Sequence, residues 1–140
     1  MPVMDDVRVV KNGGKVLAIF VRKGLSVDQA RFLTDPDDIL QMGVFDRQAG
    51  YVVPAHRHLD LLVKTQKSAE FLYIEKGKAK VTVFDDAWSP VAEETVSGGD
   101  FLLFLDGGHS VEMLEPTRFI EVKQGPYPGD KKAKVFRDSL

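Results

Sequence analysis

Residues 70–84 read EFLYIEKGKAKVTVF, and polar and apolar side chains alternate in this stretch around Gly77. After the glycine, even-numbered positions up to 82 hold lysine or threonine, and odd-numbered positions hold alanine or valine. Successive side chains of a strand point to opposite faces, so this pattern gives one hydrated face and one buried face. Antiparallel sheets that pack on a core have such faces. The stretch therefore predicts two antiparallel strands that turn near Gly77.

Comparable strand patterns recur along most of the chain. Short runs rich in β-branched and aromatic residues alternate with turn signals such as Gly98-Gly99-Asp100 and Glu115-Pro116. Many short, closely spaced strands indicate an all-β sandwich or barrel rather than alternating strands and helices. The predicted strands span residues 7–10, 16–21, 40–45, 51–58, 70–75, 79–84, 91–96, 101–105, 110–114 and 118–123.

The two ends of the chain carry other local signals. Residues 7–21 predict an N-terminal β-hairpin, because Asn12 and Gly13 separate two apolar runs and both residue types tolerate positive φ. Residues 26–33 predict one short helix with Ser26 as its N-cap. Residues 124–140 are rich in proline and glycine and predict an irregular tail.

Size and composition limit the class of protein. The 140 residues are 44% hydrophobic and 29% charged, which predicts one soluble domain over residues 1–140. The chain has no cysteine, so disulfides, zinc–thiolate sites and cysteine nucleophiles are excluded. A net charge of -2 disfavours a nucleic-acid surface, and no apolar run reaches the roughly 18 residues of a membrane span. No signal-peptide pattern opens the sequence, so we expect a cytoplasmic protein without nucleic-acid or membrane partners.

Three histidines and one glutamate are the candidate functional residues. His56 and His58 are two positions apart, which puts both imidazoles on the same face of an extended chain. Glu70 shares a strand face with Leu72 and Ile74 and is expected to point inward. A charged carboxylate in an apolar interior costs several kcal/mol unless a cation accompanies it. Imidazole and carboxylate groups suit divalent transition metals, so a metal ion is a suitable cation here.

Glycines frame these residues at defined spacings. Five residues separate Gly50 from His56, one separates His56 from His58, and six separate Glu70 from Gly77. With these residues the chain resembles the cupin superfamily, whose first motif is G-x5-H-x-H-x3–4-E-x6-G. The departure lies in the middle, where eleven residues separate His58 from Glu70 and imply an inserted loop.

The second cupin motif, G-x5-P-x-G-x2-H-x3-N, is matched less fully. His109 lies eleven residues after Gly98, as in the family, but Met113 stands where the family has asparagine. The resemblance extends over about residues 40–122. It implies that this region forms a jelly-roll barrel, also called a double-stranded β-helix.

The resemblance also implies a metal site. Cupins commonly bind iron, manganese, nickel, zinc or copper through two histidines and a glutamate of the first motif and a histidine of the second. By position, the ligands of a divalent transition metal (Fe, Mn, Zn or Ni) would be His56, His58, Glu70 and His109. Asp60 continues the face of the histidine pair and is an alternative to Glu70, and Gln66 is a more remote one.

Three classes of function are compatible with this reading. The first is a metal-dependent cupin enzyme of the dioxygenase or isomerase type. The second is a metal-independent isomerase or epimerase of nucleotide-linked sugars, in which a histidine acts as acid or base. The third is a non-enzymatic module that binds a small ligand. In each case we expect a small-molecule ligand, either sugar-derived or a small acid, and a homodimer.

Overall fold

The computed structural model describes residues 5–139, which form a mostly β protein. Within that range there are ten strands, one short helix, α1 (Asp130–Ala133), and one 3-10 turn (Arg137–Ser139). The predicted all-β class is therefore confirmed. The strands are β1 (Val7–Asn12), β2 (Lys15–Val21), β3 (Ala30–Phe32), β4 (Gly43–Phe45), β5 (Glu70–Lys76), β6 (Lys78–Phe84), β7 (Pro90–Ser97), β8 (Phe101–Phe104), β9 (Gly108–Met113) and β10 (Arg118–Lys123).

The strands form three antiparallel sheets. A five-stranded sheet has the order β1-β2-β8-β5-β10, a three-stranded sheet has the order β7-β6-β9, and β3 pairs with β4. All three sheets are open, and no ring of paired strands closes a barrel in the described part of the chain. As a result, β9 and β10 each have one edge without a partner strand from residues 5–139.

Apolar side chains cover both faces of the five-stranded sheet. Successive residues of β8 point to opposite faces, so Leu102 and Leu103 join different buried clusters. The Leu102 cluster includes Val81 and Val83 of β6 and fills the space between the two larger sheets. The Leu103 cluster includes Met42 and lies on the other face, beneath the segment that carries β3 and β4. Glu70, at the start of β5, therefore lies at one end of this sandwich.

The N-terminal hairpin forms as predicted, but its turn lies at Gly13 and Gly14 rather than at Asn12 and Gly13. β1 and β2 pair from Val7 opposite Val21 to Asn12 opposite Lys15. Gly13 and Gly14 form the two-residue turn with φ values of 58° and 80°. Positive φ at both central residues matches the right-handed twist of the flanking strands, and glycine adopts it without a steric penalty.

The predicted helix at residues 26–33 is wrong. The chain there is irregular up to Gln29, which has a left-handed φ of 66°, and then forms β3. The Asp46 carboxylate accepts a hydrogen bond from the Val27 N–H at 2.8 Å, and Leu33 packs on the core below. These contacts with distant residues outweigh a weak local helix propensity. No helix within residues 5–139 is long and apolar enough to cross a membrane.

Two other regions also depart from the predictions. Residues 51–69 contain no strand, although residues 51–58 have strand composition, and residues 51–68 are all exposed. A strand needs a hydrogen-bonded neighbour, and this segment is paired with none in the described chain. The tail, predicted as irregular, contains the single turn of α1.

Candidate functional site

His109 and Glu70 meet at one end of the sandwich, although they belong to different sheets. The Nε2 atom of His109 lies 3.4 Å from Oε2 of Glu70. Glu70 begins β5 directly after the buried Ala69, and His109 is the second residue of β9. The two side chains remain 18% and 31% exposed, so the pair is partly desolvated yet open to small molecules.

Phe104 orients the histidine. Phe104 lies opposite Glu70 in the pairing of β8 with β5, and its ring stacks on the imidazole of His109. The ring centroids are 3.8 Å apart and the planes differ by 3°. Because Phe104 is buried in the core, the plane of the imidazole is set by core packing.

Trp88 forms the wall beside this histidine. Its backbone has a left-handed φ of 64°, and its ring packs edge-on against Phe84 at a centroid distance of 6.0 Å. A Cβ atom on Gly108 would lie 2.8 Å from Cζ3 of Trp88. Glycine at this position therefore allows the indole to lie against the backbone that precedes His109.

The Glu70 carboxylate is held in its charged form. The hydrogen bond with His109 is the main cause that lowers the pKa of Glu70 from 4.5 to about 2, against the opposing effect of desolvation. A hydrogen bond with Glu121 and electrostatic interactions with His109 and Lys123 lower this pKa further. A charged carboxylate beside an imidazole can bind a cation or orient the ring for proton transfer.

A second carboxyl group, Glu121 of β10, extends the pair. Its hydrogen bond to Glu70, together with desolvation, raises the pKa of Glu121, and Lys123 only partly offsets this effect. The Lys123 ammonium lies 3.1 Å from the Glu121 carboxylate. Sequence reasoning missed both residues. Their spacing shows that they share a strand face, but nothing local shows that β10 lies beside β5.

His56 and His58 lie in the exposed irregular segment. Their ring centroids are 5.3 Å apart. Nδ1 of His56 lies 2.8 Å from the carbonyl oxygen of Pro54, which can only accept, so Nδ1 carries a proton and Nε2 is the nitrogen that can bind a metal ion. Histidines that bind metals commonly donate their other N–H to such a carbonyl.

The four predicted ligands therefore form two separate pairs, His56 with His58 and Glu70 with His109. In residues 5–139, no group of three or more His, Asp or Glu side chains is arranged to hold a metal ion. Asp60 is exposed in the segment that carries His56 and His58. Gln66 lines a different feature, a cleft of about 480 Å³ that also contains Lys15 and Asp106.

The donor atoms of the Glu70–His109 pair suit a metal ion. Two ligand atoms that are each about 2.1 Å from one tetrahedral ion are about 3.4 Å apart. The observed separation of the imidazole nitrogen and the carboxylate oxygen is 3.4 Å. Without a metal, the same arrangement is a carboxylate-oriented histidine, a common acid–base unit.

Fold and site together define an all-β protein with a histidine–carboxylate pair set between two sheets. In comparisons with known proteins, no family model, no curated protein and no solved structure matches this chain.

Proposed function

We propose that this protein is a jelly-roll, cupin-like protein that binds a divalent transition metal (Fe, Mn, Zn or Ni) and binds or acts on a small molecule. The ligands are His56, His58, Glu70 and His109. The observation that carries the proposal is the 3.4 Å separation between His109 and Glu70, because it brings together two of the predicted ligands from strands of different sheets.

Closure of the barrel would complete the site. The outer edge of β9 has no partner in the described chain, and residues 51–58 are exposed and rich in strand-forming residues. Antiparallel pairing of this segment with β9 would put the end that carries His56 and His58 beside His109. Residues 59–69 would then lead back to Glu70 at the same end of the sandwich.

The residues of the site have distinct roles in this proposal. Glu70 supplies a negative charge at neutral pH because its pKa is far below 7. Phe104 holds the imidazole of His109 in a fixed plane, which reduces the reorganisation needed on binding. When bound, the metal would supply Lewis-acid or oxygen-activating chemistry. Because both side chains are partly exposed, a small molecule can reach them from solvent.

Metal binding to the purified protein tests this function. After equilibrium dialysis against Mn²⁺ or Zn²⁺, we expect about one ion per chain by elemental analysis, and at least about tenfold weaker binding for His109→Ala, Glu70→Gln and His56→Ala. Glu112→Gln is the matched control. Glu112 is a carboxylate on β9, the strand of His109, but it forms an ion pair with Lys80 instead. Asp60→Asn tests the alternative ligand. Absence of stoichiometric metal in the wild type would refute the metal site.

The orientation of His109 by Glu70 favours a second candidate, metal-independent acid–base catalysis on a nucleotide-linked sugar. In this case His109 would move the proton and Glu70 would fix its orientation. Turnover of nucleotide sugars in the presence of a chelator, lost in His109→Asn, would support this candidate. If no turnover is found but metal or ligand binds, a non-enzymatic binding module is the better description.

A further inference from the structure

Residues 59–63, which read LDLLV, are apolar and exposed. The exposed fractions are 82%, 76%, 90% and 73% for Leu59, Leu61, Leu62 and Val63. Within residues 5–139, no strand pairs with this segment. In an extended chain its odd-numbered residues share one face, which is wholly apolar, and Asp60 lies on the other face. The segment therefore has the pattern of a strand without a neighbour.

The edge strand β10 offers an apolar surface of matching length. Phe119, Ile120 and Val122 are 37%, 47% and 54% exposed. Ile120 lies opposite Tyr73 of β5, which is 36% exposed, and cross-strand partners share a face. Phe119 lies opposite the buried Ile74 and therefore points to the inner face. An edge strand with exposed apolar side chains is a template for another strand.

Two other sheet edges carry features that block such pairing. The register of β1 shifts between Val10 and Lys11, and β7 begins at Pro90, next to another register shift. Bulges and prolines protect edges, because they interrupt the row of hydrogen-bonding groups. From Phe119 to Lys123, β10 has neither a proline nor a register shift. Of the two edges of the five-stranded sheet, β10 is therefore the one that can accept a strand along its length.

The residues that follow the segment hold it away from β10 of the same chain. Residues 64–67 line the cleft that contains Lys15, and the Lys67 ammonium pairs with Asp106 at 2.5 Å. The Asp106 N–H in turn donates to the Leu17 carbonyl of β2 at 3.3 Å. Two strands separate β2 from β10, which puts these edges about 14 Å apart. One extended residue spans only about 3.5 Å, so residue 63 cannot lie on β10 of its own chain while residues 64–67 keep these contacts.

We propose that residues 59–63 of one chain pair antiparallel with β10 of a second copy, and that the second copy returns the same contact. In this register Leu61 lies opposite Val122 and Val63 lies opposite Ile120, on the outer face of the sheet. A two-fold axis closes the dimer, so no free copy of either surface remains. The interface does not rest on the proposed metal-binding function, which involves residues 51–58 and β9.

Charge and area both favour a second copy as the occupant. Asp60 lies opposite Lys123 in this register, and no like charges are directly opposite. The Lys123 ammonium lies 3.1 Å from Glu121 and has further N–H groups for a second carboxylate. With on the order of 100 Å² removed from water per large apolar side chain, the two contacts remove about 1,600 Å², the size of a standard stable interface. The side chains covered in each contact are Leu59, Leu61, Leu62, Val63, Tyr73, Phe119, Ile120 and Val122.

Light scattering with a chelator present tests for the second copy. We expect the wild type to have twice the mass of one 15.6 kDa chain. Ile120→Lys puts a charge into the apolar contact and should weaken dimerisation at least about tenfold. Val9→Lys is the matched control, because Val9 is 44% exposed on the opposite edge strand, β1, and it should leave the dimer unchanged.

Disulfide trapping tests which surfaces meet. The chain has no cysteine, so the double variant Leu61→Cys, Val122→Cys carries the only two thiols. Directly opposite residues of an antiparallel pair are close enough for a disulfide. We expect mild oxidation to convert this variant into a covalent dimer on a non-reducing gel. The two single variants, and the double variant Leu61→Cys, Val9→Cys, should stay monomeric on the same gel.

Each other outcome refutes the interface. A monomeric wild type shows that no second copy binds. A disulfide within one chain shows that the segment pairs with its own β10. A dimer that forms no disulfide between positions 61 and 122, or that survives Ile120→Lys, uses another surface. Because these measurements are made without metal, a protein that dimerises as expected but binds no metal refutes the proposed function and leaves the interface standing.

Discussion

The imidazole of His109 lies flat on the ring of Phe104, with the ring centroids 3.8 Å apart and the planes within 3°. Phe104 is buried between the two larger sheets, and its pairing partner on β5 is Glu70. Phe104 therefore contacts His109 directly and is the pairing partner of Glu70 on the neighbouring strand. The stability of the fold and the geometry of the site are coupled through this phenylalanine.

Truncation of Phe104 should damage both stability and binding. We expect Phe104→Ala to lower the free energy of unfolding by about 3–5 kcal/mol because it leaves a cavity in the core. Phe104→Leu should cost less than about 1.5 kcal/mol and still weaken metal binding, because it removes the stacking surface of His109. Denaturant unfolding followed by Trp88 fluorescence gives the stabilities. Phe45→Ala removes a ring that is 55% exposed and packs edge-on against Phe32, and it should leave metal binding unchanged.

The contact between Glu70 and His109 predicts acid sensitivity. The pKa of Glu70 is about 2 in the folded chain, compared with an ordinary value of 4.5. As the pH falls, the unfolded chain therefore takes up the proton first. The stabilisation is complete above about pH 4.5 and is lost as the pH falls toward 2. Unfolding measured over this range should show a smaller loss of stability in Glu70→Gln, and equal losses in both proteins would contradict the prediction.

Gly77 should tolerate no side chain. Its φ is 101°, and an added Cβ would lie 2.5 Å from the carbonyl oxygen of Pro116 and 2.6 Å from Cα of Thr117, both backbone atoms. We expect Gly77→Ala to cost about 2–4 kcal/mol of stability, from the strained φ and the clash together. Gly14→Ala separates the two causes, because Gly14 has positive φ but open space around it, and should cost only about 1 kcal/mol. Thermal unfolding of both variants gives this comparison.

Asp100 stabilises the turn between β7 and β8. Its buried carboxylate accepts hydrogen bonds from the N–H groups of Lys23 and Ser97 at 3.0 and 2.8 Å, and Arg22 lies 3.3 Å away. Removing it leaves these donors unpaired, so we expect Asp100→Ala to destabilise the protein by about 3 kcal/mol in denaturant unfolding. Asp46→Ala removes one similar hydrogen bond in an exposed loop and should cost about 1 kcal/mol or less.

Closure of the barrel predicts a change in hydrogen exchange. If residues 51–58 pair with the free edge of β9 when metal binds, amides in this segment and in β9 should exchange at least about tenfold more slowly with Mn²⁺ or Zn²⁺ present. Amides of β1, at the far edge of the other sheet, serve as the internal control. Unchanged exchange at residues 51–58 in the metal-saturated protein would contradict the closure.

Much of the fold could be predicted because strand signals are local. Alternation over residues 70–84 predicted β5 and β6, and Asn12-Gly13 predicted the hairpin of β1 and β2, although its turn lies one residue later. The prediction failed where tertiary contacts outweighed local preference. Residues 26–33 look helical in isolation, but the Asp46 hydrogen bond and the packing of Leu33 hold them otherwise. Residues 51–58 have strand composition and no partner in the described chain.

The sequence by itself determined the strand periods, the hairpin turn and the residue types available for a metal or acid–base site, because each depends on neighbours a few positions apart. Only the tertiary structure decided which strands lie side by side. Strand order placed Glu121 next to Glu70 and Phe104 beneath His109, and these contacts join residues far apart in the chain. The pKa of Glu70, and with it the chemistry of the site, follows from that order.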